Sequence, residues 1–376
     1  MNKPNILALA SKPALRVTKS HLGGAIIVMV LAVGLAASAT AQSTITQVVG
    51  GLHSPRGLTF GPGGQLFVAQ TGETDTVDGS IIEILSPMAV RPKVRTIASD
   101  LAVTGDPEEG EFLGISGISV FGNGVNFGLY GIMAVDPQQT GDEAFGNLLR
   151  VNNHNQVETL VNVGSFDYEW TAEHIDLAPN DFPDANPYGV LVVPGHVYVV
   201  DAGANTLDEV MPDGSIIILA YFPLNELADA TPTCACQGPD GFLYIGTLAL
   251  VDSLFLGPQA KVYRLDPADA NIPEPWNTPM TVWASDLWPI NGCTFGRDGN
   301  FYASQLFTNP NWIYGEDPEG DVVKIPFNSP STHTFLAGGA LSFTGGVAVG
   351  PNGAVYVADG TAFVPPGGGR IVRIGP

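Results

Sequence analysis

The sequence predicts an all-β, six-bladed propeller, and three observations carry that prediction. One hairpin motif recurs six times, each copy is followed by further strand-like segments, and a spare strand early in the chain matches an incomplete last repeat. Four copies align closely. They are Pro55-Arg-Gly-Leu-Thr-Phe-Gly-Pro-Gly-Gly-Gln-Leu-Phe-Val-Ala69, Thr233-Cys-Ala-Cys-Gln-Gly-Pro-Asp-Gly-Phe-Leu-Tyr-Ile-Gly246, Asn291-Gly-Cys-Thr-Phe-Gly-Arg-Asp-Gly-Asn-Phe-Tyr-Ala-Ser304 and Gly345-Gly-Val-Ala-Val-Gly-Pro-Asn-Gly-Ala-Val-Tyr-Val-Ala358. Each reads as strand, Gly-x-[Asp/Asn/Gly]-Gly turn, strand. The glycines and the Asp-Gly or Asn-Gly pairs supply the positive φ a tight hairpin needs.

Two weaker copies complete the set. Ile118-Ser-Val-Phe-Gly-Asn-Gly124 opens one, and Tyr188-Gly-Val-Leu-Val-Val-Pro-Gly-His-Val-Tyr-Val-Val-Asp201 is the other, with a shortened turn. The hairpin glycines fall at 61, 122, 195, 238, 296 and 350, spaced by 43 to 73 residues. Third strands follow, such as Ser80–Leu85, Asn147–Val151, Lys261–Leu265 and Asp321–Ile325. Fourth strands come next, such as Val94–Ala98 and Thr281–Ala284. The last repeat ends at its third strand, Arg370–Ile374, so Thr44–Val49 is expected to complete it and close the ring. Closure removes the open edge that a lone sheet must otherwise protect. Helical periodicity is nearly absent.

Ahead of this array stands a secretory pattern. Lys3, Lys12, Arg16 and Lys19 precede the apolar run Gly23–Ala37, and Ala39-Thr-Ala41 offers a small-residue exit. The run is shorter than the roughly 20 residues a spanning helix needs. The expected organisation is a signal peptide over 1–41 and a propeller over 42–376, exported to the periplasm or outside the cell, with no membrane attachment after cleavage. The whole chain carries −22; without the leader, 11 Lys and Arg stand against 37 Asp and Glu, a net −26. Such a balance argues against nucleic acid or anionic lipid as partner. Apolar content of 45% with 46 Gly and 30 Pro reads as buried strands joined by tight turns.

A small-molecule site is expected on one face. Most long insertions (71–79, 102–114, 136–146, 164–187, 222–232, 247–260, 305–320 and 359–369) join second to third strands or blade to blade, and so emerge on one side. Only 266–279 is assigned to the opposite, plain face. Elaborated loops on a rigid scaffold usually hold function. His53 and His174 belong to the elaborated face, whereas His154, His196 and His333 sit at plain-face turns. The ends of the second strands (Gln70, Asp201, Thr247, Gln305 and Asp359, with Tyr130 less well aligned) would form a polar ring round the axis, or serve as ordinary turn residues. Arg56 starts the first inner strand and has the fork to bind a carboxylate or phenolate. Acids at 106–111 and 167–184 supply oxygen ligands of the type that Ca²⁺ or Mg²⁺ takes, with Glu111 and Asp184 as candidates. No nucleophile elbow, P-loop, metalloprotease or dinucleotide motif is present. Three cysteines leave one over: Cys293 has the parity to meet Cys234 or Cys236 across a blade interface, and buried thiols are the alternative.

The segment Gly50-Gly-Leu-His-Ser-Pro-Arg-Gly-Leu-Thr-Phe-Gly-Pro-Gly-Gly-Gln-Leu-Phe-Val-Ala69 resembles the opening of the ScyD/ScyE family. Asn186-Pro-Tyr-Gly-Val190 followed by Tyr198-Val-Val-Asp-Ala-Gly-Ala-Asn-Thr-Leu207 does too. The resemblance spans nearly all of the chain after the leader. It implies an exported, NHL-like propeller of scytonemin-type pigment biosynthesis, acting on or binding an aromatic or phenolic metabolite. Arg56, Asn186, Tyr188, Asp201 and Asn205 match its pattern. Gln70 stands where an acid is usual, and the three cysteines depart from it. On this reading Asp201 or His53 is the base, Arg56, Gln70, Asn186, Tyr188 and Asn205 hold the substrate, and a divalent cation is a conceivable aid. The alternatives are a non-catalytic binding or scaffold propeller and, third, a metal-dependent lactonase-type hydrolase, whose first-blade acidic ligand would have to lie where Arg56 stands.

Overall fold

A computed structural model describes residues 44–375 apart from 75, 76, 108 and 109. The leader expected over 1–41 lies outside the described residues. Six four-stranded antiparallel sheets are arranged as blades. Blade 1 is Pro55–Phe60, Leu66–Gln70, Gly79–Leu85 and Lys93–Leu101. Blade 2 is Ile115–Phe121, Gly128–Met133, Asn147–Asn152 and Val157–Asn162. Blade 3 is Pro187–Val193, His196–Asp201, Thr206–Val210 and Ile216–Tyr221. Blade 4 is Pro232–Gln237, Leu243–Thr247, Ala260–Leu265 and Met280–Leu287. Blade 5 is Ile290–Phe295, Phe301–Gln305, Asp321–Ile325 and the short Thr334–Phe335. Blade 6 takes Val347–Val349, Val355–Asp359 and Gly369–Ile374 from the end of the chain and its outer strand, Ile45–Leu52, from the beginning. The closing strand runs three residues beyond the expected Val49, pairing Ile45 with Ile374 and Leu52 with Gly369. Middle strands are buried on both faces, as Leu66–Gln70 and Phe301–Gln305 show, because each blade is covered by two neighbours.

The hairpin turns use their glycines as expected. Gly64, Gly241, Gly299 and Gly353 all have φ between +75° and +86°. A second set of glycines sets the radius of the ring. Gly57, Gly117, Gly189, Gly292 and Gly346 occupy one position of the inner strands, and each faces the next blade. A Cβ on Gly57 would stand 2.5 Å from the Ser116 carbonyl oxygen. On Gly117 it would stand 2.6 Å from that of Tyr188, on Gly189 2.5 Å from that of Thr233, and on Gly346 2.7 Å from that of Arg56. On Gly292 it would come within 2.7 Å of the Gly346 Cα. Backbone meets backbone at the axis, with no flexible side chain to give way. Blade 4 alone has a side chain there, Cys234, which is bonded to Cys293 of blade 5 with a Cα–Cα distance of 5.7 Å. Cys236 is a buried free thiol.

Polar groups tie the same rim. Thr71 Oγ1 donates to Ile115 O at 2.9 Å, Ser116 Oγ to Tyr188 O at 2.8 Å, Thr233 Oγ1 to Ile290 O at 2.6 Å and Gly346 N to Arg56 O at 2.9 Å.

Two insertions differ from their expected form. Residues 164–187 contain a helix, Val163–Glu173, which lacks an amphipathic stripe and so leaves no periodic trace. It starts because the Asn162 side chain accepts from Ser165 N at 2.7 Å. Residues 266–279 do not stay on the plain face. They climb the outer strand of blade 3, where Thr278 Oγ1 donates to Leu219 O at 2.6 Å and the Trp276 ring lies 5.6 Å from that of His174. The outer edge of blade 3 is thereby covered. No helix among the described residues is long and apolar enough to cross a membrane.

Gly117→Ala is expected to cost about 1–3 kcal/mol through forced separation of blades 2 and 3. Urea denaturation measures it, and a loss no greater than that of an exposed Gly→Ala change would refute the axial contact.

Candidate site at the axial mouth

Aligning the blades places Arg56, Ser116, Tyr188, Thr233 and Asn291 at equivalent positions, each one residue before the close-contact position. Three of them join across the axis. Arg56 Nη1 donates to the Tyr188 hydroxyl at 2.8 Å, and that hydroxyl donates to Asn291 Oδ1 at 2.7 Å. Asn291 Nδ2 in turn donates to Thr344 O at 2.9 Å. Arg56 Nη2 donates to Phe112 O at 2.7 Å, so the guanidinium points toward the elaborated face. Blades 1, 3 and 5 thus form a bridge over the axial channel. A cavity of about 70 Å³ lies along it, with Leu58, Ile118, Val190, Ala235 and Val347 in its wall.

Arg56 is 6% exposed. No carboxylate among the described residues is ion-paired or hydrogen-bonded to it, although the field of Glu111 reaches it. Burial disfavours its charge, but Tyr188 and Glu111 act against burial and the net shift is upward, so it stays a cation. A buried cation bonded only to neutral oxygens retains most of its attraction for an anion.

The expected ring at the ends of the second strands does not form. Those side chains turn back on their own blades. Gln70 Oε1 accepts from His53 N at 2.9 Å and its Nε2 donates to Ser80 Oγ at 3.0 Å. Thr247 Oγ1 accepts from Lys261 N at 3.0 Å. Asp359 accepts from Ser342 N and pairs with Arg370 Nε, both at 2.6 Å. Asn186 Oδ1 accepts from Val135 N at 3.0 Å, and Asn205, at φ +58°, accepts from Thr231 N at 2.9 Å. Of the substrate contacts expected from the sequence, Arg56 and Tyr188 lie at the mouth. Gln70, Asn186 and Asn205 build the loops round it. Asn291 was passed over as part of a repeat. Its signal was its place five residues before a hairpin glycine, as for Arg56 at 56 and Gly61.

Neither expected base is at the bridge. His53 Nδ1 lies 3.0 Å from Glu73 Oε1, and that oxygen accepts from Gly367 N at 2.9 Å. Asp201 is fully buried, and its Oδ1 accepts from Asn186, Gly203 and Ala204 N at 2.7–2.8 Å. It shapes the turn instead of meeting solvent. Glu111 and Asp184 do not share a cation site either. The charge of Glu111 acts on Arg56, while Asp184 is bonded to Gln139, which also donates to Asp136 at 2.6 Å. Among the described residues no group of three or more His, Cys, Asp and Glu is arranged to hold a metal ion.

Behind Asp201 lies a feature the sequence did not reveal. Helix residue Asp167 is within hydrogen-bonding reach of Asp201 and Asp208, and all three are fully buried. Both oxygens of Asp167, Oδ2 of Asp201 and Oδ1 of Asp208 find no donor. Oxygens that face one another in this way are joined by shared protons. Burial, then the neighbouring carboxylates, raises Asp167 and Asp208 well above the ordinary range. Burial also raises Asp201, against the N–H groups that it accepts from.

On the far side of the mouth the face is aromatic. Trp312 lies 5.1 Å from Phe343, 5.4 Å from Phe363 and 6.0 Å from Phe307, ring centre to ring centre. Phe307 is 6.0 Å from Trp288. Phe363 is 42% exposed, and the Trp312 indole N–H has no partner. Phe363 N donates to Gly110 O at 2.8 Å, which joins this cluster to the loop that carries Phe112 and Glu111.

No protein-family model matches the chain, and no curated protein sequence is similar to it. Among solved structures it is similar to the luciferin-regenerating enzyme, at 12% identity over 89% of this chain and 95% of that one, with a TM-score of 0.55. It is similar to the PQQ-bound aldose sugar dehydrogenase of Streptomyces coelicolor, at 14% identity over 89% and 98%, with a TM-score of 0.54. A third likeness is to a catalytically inactive virginiamycin B lyase from Staphylococcus aureus with quinupristin, at 12% over 89% and 100%, TM-score 0.50. The class this defines is the closed β-propeller. At such identities the likeness extends to the fold alone.

The raised carboxyls make stability depend on pH with a definite sign. Their folded pKa values exceed the unfolded ones near about 4, so folding takes up protons. Their contribution is complete in acid and is lost as pH rises toward the raised values. As pH rises above about 4 toward the raised values the wild type is expected to lose stability, at up to about 1.4 kcal/mol per pH unit for each proton. Asp167→Asn, permanently neutral, should flatten that slope in urea melts; an unchanged slope would sink the shared-proton account.

Proposed function

We propose that this chain is an exported, ScyD/ScyE-like propeller that binds an aromatic small molecule bearing a phenolate or carboxylate at the axial mouth of its elaborated face. The observation that carries the reading is Arg56, a buried guanidinium bonded only to Tyr188 and a main-chain carbonyl. Across the mouth, joined to the Phe112 loop through Phe363 N and Gly110 O, the Trp312, Phe343 and Phe363 cluster offers ring faces. The anionic group displaces Phe112 O or Tyr188 as a partner of Arg56, and the ring packs on the aromatic side. The motifs quoted above supply the family and the aromatic, phenolic ligand class. The basic-apolar-small leader supports export, and the net −26 of the remainder supports a small molecule over nucleic acid as partner.

Binding is favoured over catalysis. No carboxylate or imidazole among the described residues is hydrogen-bonded to the bridge, and His53 and Asp201 are engaged elsewhere. A lactonase-type hydrolase is disfavoured by a cation at its expected first-blade ligand position.

The probe is p-coumarate, which carries a phenol and a carboxylate on one ring system. Calorimetry should show saturable binding to the wild type, weakened about tenfold or more by Arg56→Ala, the scale of one lost charged hydrogen bond. Tyr188→Phe, which keeps the ring and is milder on folding, should weaken it less. Equal affinity in wild type and Arg56→Ala would overturn the site.

A further inference from the structure

On the plain face, far from this mouth, three donors converge on one thioether. Met88 sits in the loop between the third and fourth strands of blade 1 and is 48% exposed. Its Sδ accepts from the Tyr356 hydroxyl at 2.9 Å, from Arg373 Nη1 at 3.1 Å and from Asn352 Nδ2 at 3.3 Å. All three donors belong to blade 6, so the sulfur spans the seam beside the ring's closing strand. A thioether is a weak acceptor, and one such sulfur is a poor match for a hydroxyl, an amide and a guanidinium together. Arg373 has no carboxylate partner among the described residues, and its Nε is buried without an acceptor. The donor set is that of a receptor for a strongly polar oxygen.

We propose that Met88 is an oxidative modification site whose sulfoxide is bound by Tyr356, Asn352 and Arg373. The oxidant is a peroxide. The sulfur lone pair takes the near peroxide oxygen, the S–O bond forms and the O–O bond breaks. The departing hydroxide collects the proton of the transferred oxygen and leaves as water. Sulfur loses two electrons and the peroxide gains them. The sulfoxide oxygen carries a partial negative charge and accepts the three hydrogen bonds as the exposed loop tip shifts by about one S–O length. Oxidation of methionine usually damages packing by placing a polar group in an apolar setting. Here the acceptor improves while the apolar core is untouched, so the seam between blades 1 and 6 tightens. The donors all come from blade 6, and they select one of the two sulfoxide epimers.

The full-length mature chain is treated with dilute hydrogen peroxide and followed by peptide mass mapping and thermal melts. Met88 should oxidise about fivefold or more faster than the partly buried Met211 and Met280, consistent with access. Access alone predicts that as well, so the deciding readouts are two others. A single epimer should form, reversed by only one of the two stereospecific sulfoxide reductases, and the melting midpoint should rise by about 2 °C or more. In Asn352→Ala combined with Tyr356→Phe, oxidation should give both epimers and no rise. Met88→Gln, an oxygen acceptor without oxidation, should melt above Met88→Leu. Mixed epimers in the wild type, a lowered midpoint on oxidation, or Met88→Gln melting at or below Met88→Leu would each overturn the proposal.

Discussion

Six inner strands meet at the axis backbone to backbone, and the rest of the molecule follows from that contact. Five blades reach it with glycine, and a single methyl group at any of those positions would collide with a neighbour's main chain. The tight radius brings the residue just before each close-contact position to the rim of a narrow opening. Arg56, Tyr188 and Asn291 can therefore touch across it, although they come from blades 1, 3 and 5. A wider ring would leave them as separate groups facing water. Where blade 4 has Cys234, a covalent bond to Cys293 takes over the role that close packing plays elsewhere.

The elaborated face divides into two chemistries. Over blades 2 and 3 it is acidic, and the acids serve structure. Asp136 caps a short helix, Asp201 gathers three N–H groups, and Asp167 with Asp208 shares protons behind it. Over blades 5 and 6 it is aromatic, with Trp312 edge to face on Phe343 and tilted against Phe307 and Phe363. The Arg56 bridge lies between them. A large negative net charge thus coexists with a buried cation at the mouth, Arg56, that has no ion-paired or hydrogen-bonded carboxylate among the described residues.

Much of the fold was legible because it repeats. A hairpin glycine or an Asp-Gly turn is a local signal, and six copies made it a global one. The closing strand was legible for the same reason, since a missing fourth strand in one place and a spare in another can be counted. The site was only half legible. Arg56 stood out at the start of an inner strand, and Tyr188 only through the family resemblance. Asn291 did not, because its neighbours matched the repeat too well. Asp201 was read as part of an axial ring or a turn because it ends a second strand, but Asp167 of a helix without amphipathic periodicity, Val163–Glu173, packs against it. Turn chemistry and axial chemistry use the same polar residues, and only three-dimensional direction separates them. Residues 266–279 were misplaced for a related reason: loop length tells where a segment leaves a blade, not how far it climbs.

The pairing of Ile45 with Ile374 also sets an order in time. Each of the first five blades is made from consecutive strands and can form as soon as it emerges. The outer strand of blade 6 comes from the beginning of the propeller and must wait, unpaired, until the last hairpin exists. That pairing joins the beginning of the propeller to its end, the most non-local contact in the ring and the costliest in loop closure. Without it the outer edge of Gly369–Ile374 is unpaired and open to the same strand of another copy.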